Sequence, residues 1–253
     1  MAIPTGRLTS TTPSWTSRGG LAVSFRRLDS PPLLASDDLT AALVGIGFNL
    51  AGTPAKDPDI EPTLIAASLE AMERPDLRVL DLLVTWFAIH AERINVGRLR
   101  RLLVGQPARV RALWSAFARL RKTDGRFAKL TGIYRGPRVD AAPGTEFLVQ
   151  RDGEHPDFTG TPLRVARKLL RGRRQDVLTP EQLAQRHAAY RCRVILGPCY
   201  RADCWAVLEA RPDAAPADVA RVAGASFSTA WHAHRDFVLI AGGGPVRPES
   251  LAP

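Results

Sequence analysis

Cys192, Cys199 and Cys204 fall in one short stretch, and His187, His232 and His234 flank it. Thiolate and imidazole are the natural donors for tetrahedral zinc, so this set raises a structural metal site. Its spacing, H-x4-C-x6-C-x4-C, lacks the close cysteine pair that makes a zinc signature specific. Cysteine is also a common core residue, and no metal is expected here. Glu154, His155 and Asp157 are the one compact set able to move protons, but a polar loop explains them without catalysis. Asp57, Asp59 and Glu61 look like a cation loop, yet Pro58 and Pro62 interrupt them and the twelve-residue calcium pattern is missing. There is no phosphate-cradling glycine loop, no nucleophile elbow and no zinc-protease motif. The chain therefore reads as a non-enzyme without a cofactor. A magnesium nuclease is the alternative chemistry, since carboxylates can converge from distant positions, but spacing alone assigns none of Asp57, Asp59, Asp76 and Asp81 to such a site.

The more informative set is Ser226, Ser228, Thr229, His232 and Arg235, with Arg221 just upstream. They lie in two short helical patterns broken by Ala223-Gly224-Ala225. Gly224 suits a left-handed turn residue, because it carries no Cβ. Val219, Ala220, Ala223 and Ala225, with Ala230 and Ala233 or His234, supply the small inward residues of a close helix crossing. Ser226 is placed to cap the second helix. Its hydroxyls and free amides suit phosphates or bases, and Thr229, His232 and Arg235 recur every three residues along one groove-sized face. Phe227, Trp231 and Phe237 are candidates for anchoring that helix. A helical hairpin serving only the core has nearly the same pattern.

Charge complicates the DNA reading. From Pro212 to Ile240, Arg221 and Arg235 are outnumbered by Asp213, Asp218 and Asp236, too little to hold phosphate. The excess of the whole chain, +10, lies elsewhere. Residues 91–138 hold thirteen Lys and Arg against Glu92 and Asp124, and Arg98, Arg100 and Arg101 are among them. A second cluster comprises Arg164, Arg167, Lys168, Arg171, Arg173 and Arg174. Either can clamp a phosphate backbone while Ser226–Arg235 reads bases, or meet an acidic protein.

The segment from Tyr190 to Gly242 resembles winged helix-turn-helix regions of bacterial regulators, some encoded beside toxin–antitoxin nucleotidyltransferases. The similarity is carried by Arg201-Ala202-Asp203, by Asp218-Val219-Ala220-Arg221, by Gly224 and by Ser226–Arg235, over about 50 of the 253 residues. It implies that Ser226–Arg235 is a recognition helix whose Ser228 and Thr229 face DNA. Only Phe237–Ile240 and a Gly/Pro-rich tail remain where a wing belongs, so any wing is reduced.

The elements that must position these residues are mainly α. The expected architecture is a helical N-terminal body with a C-terminal helix-turn-helix or reduced winged-helix domain. Residues 1–20 read as disordered, 21–140 as the body with a basic face, 141–178 as connector and short helix, 179–241 as the helix-turn-helix domain and 242–253 as a flexible tail. Leu21, Val23 and Phe25 permit a strand. Helices are expected from Ser36 to Gly45 or Gly47, over Thr63–Glu73, Leu77–Ile94 and Val96–Leu103, and over Ala108–Lys122. In Leu77–Ile94, Leu77, Leu80, Leu83, Val84, Phe87 and Ile94 are the core positions and Asp76 the cap; Ala108–Lys122 shows Arg109, Arg111, Arg119, Arg121 and Lys122 on its polar side. Glu146–Gln150 reads as a strand. Thr161-Pro162 reads as a helix start, as does Thr179-Pro180-Glu181-Gln182, a capping box whose helix runs past His187 and Tyr190 to Leu196. Another helix spans Tyr200–Ala210. The N-terminus lacks a signal-peptide core, and Val79–Ala91 is too short for a bilayer, so the protein is expected to be cytoplasmic. Double-stranded DNA is the expected partner, with a homodimer and an acidic protein as further possibilities and the membrane excluded.

Overall fold

The computed structural model describes residues 36–242; the expected disordered segment, the strand at Leu21–Phe25 and the tail beyond 242 lie outside them. The fold is mainly α. Helices α1 (Ser36–Gly45), α2 (Ile60–Glu73), α3 (Leu77–His90), α4 (Val96–Leu103) and α5 (Ala108–Leu120) build the body. They start where polar caps allow. Asp76 accepts from the Arg78 and Val79 amides, and the Asn95 side chain accepts from the Arg98 amide, satisfying donors that a helix N-terminus leaves orphaned. Their apolar faces converge on Trp86, Phe87, Trp114 and Phe117, with Phe87 and Phe117 stacked at 4.5 Å. Both buried indoles find acceptors: Trp86 donates to the Ile46 carbonyl at 2.8 Å and Trp114 to Ser68 Oγ at 2.9 Å. Leu77, expected in the core, is 37% exposed because it opens α3 at the body's edge. Ile94 is buried but lies beyond α3, after the 3-10 turn Ala91–Arg93.

Three other expectations change. Glu146–Gln150 is not a strand but part of α6 (Thr145–Asp152), as Gly144 at φ 76° turns the chain and leaves Thr145 to open a helix. Thr161-Pro162 does not start a helix. Thr161 Oγ1 takes the Leu163 amide and donates to the Phe158 carbonyl, which makes a turn, and Leu163–Arg164 (β2) pairs in parallel with Val139–Asp140 (β1). The helix expected through His187 is two: α7 (Pro180–Arg186) and α8 (Ala188–Leu196). His187 interrupts them because its ring Nδ1 accepts from the Tyr190 amide while Nε2 donates to the Pro58 carbonyl at 2.8 Å. The capping box of Thr179 and Gln182 is present. Helices α9 (Tyr200–Ala210), α10 (Pro216–Ala223) and α11 (Phe227–Gly242) complete the fold. No helix of the described residues is long and apolar enough to cross a membrane.

The main core runs from Leu39 to Tyr190. It takes in Phe158, Leu163, Val177 and Leu183, so it crosses the boundary expected at residue 179. A smaller cluster of Cys204, Leu208, Val219, Ala223, Ala230 and Ala233 holds α9, α10 and α11 together. A buried polar network connects the two. The Arg193 guanidinium on α8 grips both oxygens of Glu61 on α2, at 2.6 and 2.8 Å, and donates through Nε to Asp203 on α9 at 2.7 Å. Asn95 donates its backbone amide to Glu61 and its side chain to Asp203. Arg98 lies 4.0 Å from both carboxylates and bonds Asp59. Burial opposes the charge of Arg193, but Glu61 and Asp203 outweigh it and hold the guanidinium pKa above its ordinary value.

Removing one partner of a buried ion pair strands the other. Arg193→Met is therefore expected to cost about 3–5 kcal/mol in denaturant unfolding, and a loss below about 1 kcal/mol would mean the network contributes little. His90 provides a second test. The Leu178 carbonyl can only accept, so Nε2 of His90 carries the proton and Nδ1 accepts from Tyr190 Oη at 2.8 Å. Burial holds this neutral imidazole down, to about 4. The unfolded chain therefore binds the extra proton first, and the stability from His90, complete above the ordinary histidine value, is lost as pH falls toward 4. The expected loss is on the order of 2–3 kcal/mol; unfolding of His90→Gln, which keeps both hydrogen bonds, should lose this part of the pH dependence.

Candidate nucleic-acid interface

Helix α10 begins with Pro216 at its first turn, where no intrahelical donor is needed. It ends at Gly224, φ 62° and ψ 23°, a left-handed conformation. The Gly224 and Ala225 amides both reach back to the Ala220 carbonyl, the hydrogen bonding of a glycine C-cap. Ser226 then caps α11: its Oγ accepts from the Thr229 amide at 3.2 Å and lies 2.8 Å from Thr229 Oγ1. Val219, Ala223, Ala230 and Ala233 are the residues buried where the helices cross; Ala220, Ala225 and His234 are half-buried. Small side chains at the crossing let the backbones approach. On the far side Trp205 packs against Phe237 at 5.4 Å.

Ser228, His232 and Arg235 are exposed on the outer face of α11. Thr229 is half-buried, its hydroxyl engaged with Ser226. Phe227 and Trp231 do not anchor the helix: they are 59% and 45% exposed, since the alanines occupy the inner face. Of the three expected anchors only Phe237 packs inward. Phe237–Ile240 belongs to α11, the last element of the described residues.

The positive groups of this unit are largely neutralised. Arg221 pairs with Asp218 at 2.8 Å, Arg235 with Asp236 at 2.8 Å and Arg201 with the other oxygen of Asp236 at 2.9 Å. The Arg235 guanidinium also lies 5.6 Å from the Trp231 ring centre. Asp236 is held below the usual carboxylate range, first by its hydrogen bond to Arg235.

In the segment 164–174, Arg164 and Lys168 are paired with carboxylates, whereas Arg171, Arg173 and Arg174 are exposed. Arg164 faces Asp140 and Glu146 at 3.3 and 3.5 Å, and Lys168 pairs with Asp152 at 3.1 Å. Arg167 lies across Gly153. Asp81 takes the backbone amides of Arg171 and Gly172, and the Arg171 and Arg173 side chains line a hollow that also contains Asp81 and Asp176. Arg174 is exposed on a 3-10 turn. None of these bonds reaches α10 or α11.

The structure brings a different arginine to the turn. Arg101, on α4, donates to the Gly224 carbonyl at 3.0 Å and stacks on Tyr200 at 4.4 Å. Arg98 lies beneath the same glycine. The density of Lys and Arg over residues 91–138 is the sequence signal for this contact, but no local pattern points to Gly224. The sulfur and acid–base sets stay dispersed. Cys192 and Cys204 sit in separate apolar clusters, and burial pushes each thiol up to about 12. Cys199 is exposed. Glu154 pairs with Arg138, and His155 takes the Asp157 amide. Among the described residues no three His, Cys, Asp or Glu side chains converge as a metal site.

Because Gly224 has positive φ, Gly224→Val is expected to destabilise α10–α11 by about 1–2 kcal/mol, with Gly224→Asn costing clearly less; equal melting losses would remove the backbone explanation. No protein-family model, curated protein or solved structure matches the chain.

Proposed function

We propose that the protein is a sequence-specific double-stranded DNA-binding protein, a transcriptional regulator whose α10–α11 pair works as a helix-turn-helix. The observation that carries this reading is the outer face of α11. A capped helix follows a tight glycine turn and presents Ser228, His232 and Arg235 outward, supported from behind by alanines. A helix with such a face fits the major groove, where hydroxyl, imidazole and guanidinium groups match base-edge donors and acceptors. The resemblance of residues 190–242 to bacterial regulator segments agrees with it. In this reading the protein acts in the cytoplasm without catalysis or a cofactor, and the body offers surfaces for a homodimer.

A second reading has an observation of its own. Phe227, Trp231, Val238 and Leu239 are exposed on α11, and aromatic residues beside an arginine are frequent anchors of protein interfaces. A protein-interaction component or antitoxin would use that face against an acidic partner.

Selection from a random duplex library separates the two. An enriched motif supports the DNA reading, and a palindromic one adds a symmetric dimer. Arg235→Ala is expected to relax base preference by about 1–3 kcal/mol at the position it contacts. Absence of any enriched sequence, together with stable capture of an acidic protein, would replace the DNA reading with the second.

A further inference from the structure

A helix pair whose cations are paired with its own carboxylates lacks the charge to hold DNA, because affinity for a duplex comes mainly from phosphate neutralisation. We propose that the phosphodiester backbone of a bound duplex runs through a cleft on the body, formed by α4, the 3-10 turn Gly125–Leu130 and the loop after it. The inference rests on the DNA-binding reading above and names the part of the protein that supplies the grip.

Two adjoining hollows, about 640 and 530 Å³, share Arg100, Val104 and Lys129 and so form one cleft. Its cations are Arg100, Arg101, Arg111, Arg126, Lys129 and Arg135, and no lining residue is acidic. Contrast the hollow beside Arg171 and Arg173, whose lining includes Asp81 and Asp176. Within the cleft only Arg126 has a carboxylate partner, Asp124 at 2.6 Å. Arg101 spends its hydrogen bond on a carbonyl, which leaves its charge uncancelled. Arg100, Lys129 and Arg135 are exposed. Cations spread along both hollows suit a polymer with repeated charges.

Position is the independent observation. Arg101 lines the cleft and also bonds the carbonyl of Gly224, two residues before the Ser226 cap of α11. A strand tracking the cleft therefore passes beside the N-terminus of the helix proposed to read bases. Phosphate contacts there set the register of α11 on the duplex.

The test uses the full chain and three cations with no bonding role in the fold. Arg100→Ala, Lys129→Ala and Arg135→Ala are combined, and thermal melting checks that the fold is kept. Binding to a selected duplex and to a scrambled duplex is measured by fluorescence anisotropy over a series of salt concentrations. The triple variant is expected to lose affinity for both duplexes alike, with the slope of log affinity against log salt smaller by about three. Arg235→Ala should instead lose preference for the selected duplex with little change in slope. A wild-type slope in the triple variant, with duplex binding retained, overturns the cleft and leaves the DNA reading standing. If the unmodified protein binds neither duplex, or prefers a single-stranded RNA or an acidic protein, the DNA reading falls and this inference falls with it.

Discussion

The buried contact of Arg193 with Glu61 and Asp203 is the constraint on which the arrangement of the two cores depends. Taking a guanidinium and two carboxylates out of water is costly, and their attraction compensates only when nearly every donor and acceptor is matched. Here the match is close. Glu61 also takes the Asn95 amide, Asp203 takes the Asn95 side chain, and Nη1 of Arg193 also donates to the Arg93 carbonyl. Satisfying this geometry aligns α2, α4, α8 and α9 at once. Since α10 and α11 pack on α9, and Arg98 of the same network lies beneath Gly224, the orientation of the candidate recognition helix follows from these buried bonds.

The same logic explains what the protein does with its arginines. Several act on carbonyls rather than carboxylates: Arg109 on Met72 and Asp140, Arg119 on Gly160, and Arg121 on Ala88. Met72 and Ala88 lie in the last turns of α2 and α3, where carbonyls lack intrahelical donors and the helix dipole favours a cation. An arginine used this way fastens a helix end to a neighbour without losing its net charge. Structure and a positive field are thus served by the same side chains, and the helix-rich body can stay basic while α10–α11 stays close to neutral.

That neutrality bears on the proposed mechanism. Arg235 is held by Asp236 and by the Trp231 ring, so engaging a base would require it to exchange one partner for another. Such an exchange favours discrimination, because a wrong base leaves the guanidinium better served by Asp236 than by the groove. Grip from the body and choice from α11 would then be separable properties.

Local order determined much of what was legible in the chain. Caps at Asp76 and Thr179, the glycine after Ala223 and the apolar periodicity of α3 and α5 announce helices through interactions spanning only a few residues. The mainly α fold and the inward alanines of α10–α11 follow from such signals. Local order misleads where a distant group intervenes: the Pro58 carbonyl holds His187 where one helix gives way to two, and the pairing of Leu163–Arg164 with Val139–Asp140 draws a helical-looking start into a strand. By type Phe227 and Trp231 are candidate anchors, but helix phase places them outside once the alanines are buried. The role of each charge was the least legible. Glu61, Arg98, Arg193 and Asp203 are ordinary charged letters in order, and only tertiary contact makes them a buried network, because electrostatic energy depends on partner distance and solvent access rather than on spacing along the chain. Composition alone showed that the chain carries excess positive charge; the fold decided which cations are spent on carboxylates, which cap carbonyls, and which remain open beside Gly224.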